Sequence, residues 1–149
     1  MKPMESVGIM ADLFKQLKKM RILLIDDDVC IRHAMSLFFT AEGCSLAAVP
    51  SAEAALDKLS RHTYDIILVD YNLPNMDGLQ LLEQIQDSKA QVMKILITAY
   101  GSNEVVSAAR GLGVHEVIEK PFTSEILEHT LSHLLDHPPL MEEPPYRKE

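Results

Sequence analysis

The chain of 149 residues, 47% apolar and 24% charged, has the length and composition of one soluble globular domain with its own core. A formal net charge of −8 argues against direct nucleic-acid binding, which needs a basic footprint, and leaves room for a bound cation. No apolar run approaches the ~20 residues that cross a membrane, and the lysines at 15, 18 and 19 lack the order of a secretion signal. A reducing cytoplasm is therefore the expected compartment. Cys30 and Cys44 offer neither a disulfide framework nor zinc spacing, and each falls where a small buried apolar residue would serve.

Residues 1–19 include an amphipathic stretch, with Ile9, Met10, Leu13, Phe14 and Leu17 on one side and lysines opposite, which reads as a packing or docking helix. The first strand is Ile22-Leu23-Leu24-Ile25. A helix follows from about Val29 to Thr40, with Ile31, Met35 and Phe38 or Phe39 inward and Gly43 just beyond. A second strand fits Ser45 to Val49, and Ser51 is a good N-cap for a helix carrying Ala54, Ala55, Leu56 and Leu59 on one side. The third strand is Ile66-Ile67-Leu68-Val69, and Asp77-Gly78 opens a helix over roughly Leu79 to Gln86. Ile95-Leu96-Ile97 makes a fourth strand, followed by a helix from Asn103 to Arg110 that stops at Gly111 and Gly113. The weaker strand Val117-Ile118 precedes a last helix from Thr123 to about Asp136, ended by Pro138-Pro139. Residues 137–149, rich in proline and charge, read as a flexible tail or the start of a linker to an output domain.

Apolar runs without polar alternation are how strands covered on both faces read. Five of them alternating with five helices predict an α/β fold: a doubly wound, parallel five-stranded sheet with helices on both faces. Ligands of such sheets bind outside the carboxyl ends of the strands. There the sequence places Asp26-Asp27-Asp28 after the first strand, Asp70 and Asn72 after the third, Thr98-Ala99 after the fourth and Lys120-Pro121 after the fifth.

Three crowded carboxylates repel unless a cation neutralises them, and an oxygen-only site that retains water suits Mg²⁺. A carboxylate can attack phosphorus and hold an acyl phosphate, and the transfer then needs positive charge and donors around the phosphoryl oxygens. Lys120, the Thr98 hydroxyl, a backbone N–H and the metal are the candidates. Each residue also has a plainer reading: Asp28 as a helix cap, Asp70 with Asn72 and Pro74 as turn chemistry, Thr98 as a strand former, Lys120 as a solvated strand end. Those readings must hold together at a single sheet edge, which weakens them.

These motifs resemble those of a response-regulator receiver domain, the phospho-accepting half of two-component signalling. The carriers are Leu23-Leu24-Ile25-Asp26-Asp27-Asp28, the run from Asp65 to Gly78, Ile97-Thr98-Ala99-Tyr100-Gly101 and Glu119-Lys120-Pro121-Phe122, and the likeness covers residues 20–136. The resemblance implies strand order 2-1-3-4-5 and Asp70 as acceptor of phosphate from a sensor histidine kinase or phosphotransfer protein. It implies Mg²⁺ bound by Asp27 directly, by Asp26 largely through water, by Asp70 and by the Asn72 carbonyl. Thr98, Asn72, the Ala99 N–H and Lys120 would contact the phosphoryl group, and the Lys120–Pro121 bond would be cis. The phosphorylated state would act by changing protein–protein contacts, with an unknown downstream partner or a homodimer through the face of the fourth and fifth helices.

The sequence departs from the family at Val117, where an aromatic ring usually couples to the threonine. Signalling would then rest on the loop after Thr98 and the helix beyond it. Tyr100 is expected to shield the phosphoryl group from water. His129, His133 and His137 recur every four residues after Glu125, a spacing that fits the solvated face of a helix better than a metal site. Two other functions are weighed against a receiver. A small Mg²⁺-dependent phosphatase of the haloacid-dehalogenase type would place its nucleophile after the first strand. An interaction module independent of phosphorylation would have no need of Asp26, Asp27, Asp70, Thr98 and Lys120 together.

Overall fold

The computed structural model describes residues 12–88, 91–99 and 101–136. Five strands, β1 (Arg21–Ile25), β2 (Ser45–Val49), β3 (Ile66–Asp70), β4 (Met93–Thr98) and β5 (Glu116–Glu119), alternate with five helices. These are α1 (Val29–Ala41), α2 (Ala52–Arg61), α3 (Gly78–Ile85), α4 (Asn103–Gly111) and α5 (Ser124–Asp136). The strands pair in parallel in the order β2-β1-β3-β4-β5, as expected.

Local sequence explains where the helices begin. Asp28 accepts hydrogen bonds from the Cys30 and Ile31 amides, Ser51 from Ala54, and Ser102 from Val105. Asp77 and Gln80 form a reciprocal capping box at the start of α3, and Thr123 accepts from Ile126 ahead of α5. Gly43 and Gly113, with φ of +77° and +92°, reverse the chain after α1 and α4, where a side chain would be strained.

Strand alternation divides the core in two. Ile22, Leu24, Ile66, Leu68, Ile95 and Ile97 face one layer, where α1 contributes Met35 and Phe39 and α5 contributes Leu127, Leu131 and Leu134. Leu23, Ile25, Ile67, Val69 and Leu96 face the other, against Ala55 and Leu59 of α2, Leu81, Leu82 and Ile85 of α3, and Ala109 of α4. Truncating any one of these leucines to alanine would cost about 2–5 kcal/mol. In α1 the fully inward pair is Met35 and Phe39, with Ile31 and Phe38 only half-buried.

Residues 12–17 are helical and join the first layer: Leu13, Phe14 and Leu17 are buried, and the Phe14 ring meets Phe38 edge-on at 5.8 Å between centroids. Ile9 and Met10 of the expected amphipathic stretch, and the tail from His137, lie outside the described residues. Cys44 is buried as expected, but Cys30 is exposed. It sits at the start of α1 beside Asp28, on the turn that leaves the sheet, so the apolar role assigned to it is wrong.

Candidate functional site

Register, more than any single residue, builds the site. Ile25 is level with Val69, Asp70 with Ile97, and Thr98 with Glu119, so four strands end within two residue positions of one another and release Asp26, Asp70, Thr98 and Lys120 at the same edge. Asp26 stays on the ladder through its N–H to Val49 O at 3.1 Å. Carboxylate oxygens of Asp26, Asp27 and Asp70 lie within 4.8 Å of one another. Asp26, Asp70 and Thr98 are buried, while Asp27, Asn72 and Ala99 face solvent.

Lys120 is the counter-charge. Its Nζ lies 3.1 Å from Asp26 Oδ2 and 3.2 Å from Asp70 Oδ2, and the Lys120–Pro121 peptide is cis, as expected. Burial acts to lower the ammonium's pKa, but the neighbouring carboxylates of Asp26 and Asp70 outweigh it, and the net shift is upward. Asp70 is also shifted upward, chiefly by burial and then by the charge of Asp26. Lys120 and the Asn72 amide, which donates to Asp70 Oδ1 at 3.3 Å, oppose that shift.

Asp26 uses one oxygen structurally. Oδ1 accepts the Asp28 N–H at 2.9 Å. Its Oδ2 is buried and, although close to Lys120, receives no hydrogen bond of good geometry. An exposed acid, two buried acids and a buried oxygen lacking a donor form a hard, oxygen-only set that fits a divalent cation.

Three supports escaped the sequence reading. Arg32 reaches back from α1 to donate to the Asp26 carbonyl at 2.9 Å. Gly78 packs on the backbone of Asp70: a Cβ there would lie 2.5 Å from the Asp70 carbonyl oxygen and 2.9 Å from Tyr71 Cα. Glu119 crosses to the loop after β4, where its Oε2 accepts the Gly101 N–H at 3.0 Å. Asp77-Gly78 was legible as a helix start, but nothing local signals the other two. Tyr100 lies outside the described residues. On α5 the exposed His133 Nδ1 lies 2.8 Å from Glu116 Oε2, and His129 is also exposed; His137 lies outside the described residues.

The sequence profile of the response regulator receiver domain matches residues 22–132. The chain belongs to this family. It is a receiver domain of two-component response regulators, and its nucleophile candidate follows β3 rather than β1, against the phosphatase alternative. It is 36% identical over 124 residues to the response regulator protein FleR of Pseudomonas aeruginosa, an alignment covering 83% of this chain and 26% of FleR. Sporulation initiation phosphotransferase F of Bacillus subtilis is 29% identical over 102 residues, covering 68% of this chain and 82% of that protein. The chain thus spans about a quarter of the length of the first relative and most of the second. A CheY-like receiver domain from Methanospirillum hungatei superposes with a TM-score of 0.74 at 29% identity, over 78% of this chain and 94% of that one.

Proposed function

We propose that this receiver accepts a phosphoryl group on Asp70 from a sensor histidine kinase or phosphotransfer protein, in a Mg²⁺-dependent reaction. The observation that carries the reading is the Lys120 ammonium seated between Asp70 and Asp26, beside three converging carboxylates. Asp26, Asp27, Asp70 and the Asn72 carbonyl would hold the metal, which when bound supplies positive charge to the phosphoryl oxygens.

The rest of the chemistry belongs to the chain. An Asp70 carboxylate oxygen forms the new P–O bond as the donor's P–N bond breaks, and the departing imidazole keeps the electron pair and takes up a proton. Lys120 leaves its salt bridge with Asp70 to neutralise the transferred oxygens, and the Thr98 hydroxyl and Ala99 N–H contact them. Burial of Asp70 keeps the acceptor out of bulk water. The domain serves as a signalling acceptor in the cytoplasm rather than as an enzyme with a turnover substrate. Its phosphorylated form changes protein contacts, with a downstream protein or a second copy on the α4–β5–α5 face.

Intact-mass analysis after incubation with acetyl phosphate and Mg²⁺ tests the reading. One added phosphate is expected, absent in Asp70→Asn and absent without the metal; labelling that survives Asp70→Asn overturns it.

A further inference from the structure

The loop between β4 and α4 is tied to β5 by a single side chain. Glu119 and Gly101 are 18 residues apart, and the bond between them, 3.0 Å from N to Oε2, crosses the sheet edge beside the acceptor site. The level pairing of Thr98 with Glu119 puts that carboxylate opposite the point where the loop leaves β4. Glycine is what lets it sit so close, because a Cβ on Gly101 would lie 2.5 Å from the same oxygen and 3.2 Å from Cδ. Among the described residues Glu119 forms no ion pair, so its charge faces the loop amide and solvent.

Two anions therefore compete for one loop. A phosphoryl group on Asp70 would bring a charge of about −1.5 to −2 and three strong acceptors to the edge that Thr98 and Ala99 line. Drawing those donors inward pulls on Gly101, two residues beyond Ala99, and so on its bond to Glu119. Val117, partly buried against the α4 side of the core, has no ring to move between two positions. A tie between loop and strand can do that work without one.

We propose that Glu119 latches the β4–α4 loop through the Gly101 amide in the unphosphorylated domain, and that phosphoryl acceptance opens the latch. The inference rests on Asp70 as acceptor. Glu119 is a positioning residue here, since it acts on the loop and touches no reacting atom. Because coupling is reciprocal, weakening the latch must tighten binding of a phosphoryl mimic by the same factor.

The test is titration of the full chain with beryllofluoride and Mg²⁺, alongside hydrogen exchange at the Gly101 amide. Glu119→Ala should speed Gly101 exchange in the free protein and tighten beryllofluoride binding about 3- to 10-fold. Glu119→Gln removes the charge but keeps an acceptor, so it should recover most of the wild-type protection and affinity. Equal effects of the two variants would mean simple charge repulsion and would overturn the latch. Wild-type affinity in Glu119→Ala would overturn it too, with Asp70 as acceptor left standing. A wild type that neither binds beryllofluoride nor labels would bring down the acceptor reading and the latch together.

Discussion

Two lysines of this domain lie at opposite ends of neighbouring strands and have opposite electrostatic fates. Lys120, past the end of β5, is drawn between two carboxylates, and its pKa is raised. Lys94, near the start of β4, is only 1% exposed; its Nζ donates to the Val92 carbonyl at 3.1 Å, and burial pushes its pKa down. Its backbone N–H donates to His115 Nδ1 at 3.0 Å, and His115 N–H returns a bond to the Lys94 carbonyl at 2.8 Å. Burial, and then the Lys94 charge, hold that imidazole below its ordinary pKa. An ammonium thus neutralises an acidic edge in one place and braces a structural one in the other. Burial alone does not mark a functional lysine; the acids around it do.

Lys120→Met should separate the two roles most sharply. Labelling from acetyl phosphate should fall about 10²–10³-fold, the size of effect seen when one charge-stabilising donor is removed. The variant should also lose stability in metal-free buffer and regain it with Mg²⁺, because the cation takes over the neutralisation. A labelling rate within tenfold of wild type would mean that Lys120 never meets the phosphoryl group.

Lys94→Ala should cost about 2–4 kcal/mol in urea unfolding through the cavity left by its stem, with labelling per folded molecule unchanged. Lys94→Met isolates the charge. A base whose folded pKa is depressed contributes stability above its unfolded value of 10.5 and loses it as pH falls through the folded value. The methionine variant should therefore compare best with wild type near neutral pH and worse as pH approaches 10.5; a difference independent of pH would mean that the ammonium is well solvated.

Smaller effects come from the acids. Mg²⁺ at ten times its dissociation constant should stabilise the folded domain by about 1.4 kcal/mol, and Asp27→Asn should diminish that gain. Asp70→Asn should raise the melting temperature at pH 7 by a few degrees. An acid with a raised folded pKa contributes stability below its unfolded value, 3.8, and loses it as pH rises through the folded value. The advantage of the amide should therefore shrink on acidification, and a lower melting temperature at pH 7 would mean that the Lys120 contact outweighs the repulsion from Asp26.

The strands were legible because parallel sheets bury both faces, so runs such as Ile66-Ile67-Leu68-Val69 admit few other readings. The helix starts were legible because Asp28, Ser51 and Asp77 are caps whose partners lie two or three residues on. The convergence at the site followed from topology, since four strands ending in polar residues must share an edge. What escaped depends on contacts distant in sequence. Lys94 and Glu119 look like ordinary surface charges until register places His115 and Gly101 beside them, and Arg32, only six residues from Asp26, does so until α1 folds back over the end of β1. Cys30 failed for the converse reason, because a small apolar residue one turn from the core can still point outward at a helix start.

Gly78 has a consequence for anyone mapping this domain by substitution. The atoms a side chain would strike, the Asp70 carbonyl oxygen and Tyr71 Cα, are backbone and cannot swing aside. Every replacement must push the third helix away from the chain that carries Asp70, so a saturation scan scored on signalling should find position 78 about as intolerant as position 70. The two would separate only when abundance is scored as well: Asp70 variants would stay abundant and silent, whereas Gly78 variants would fall in both assays.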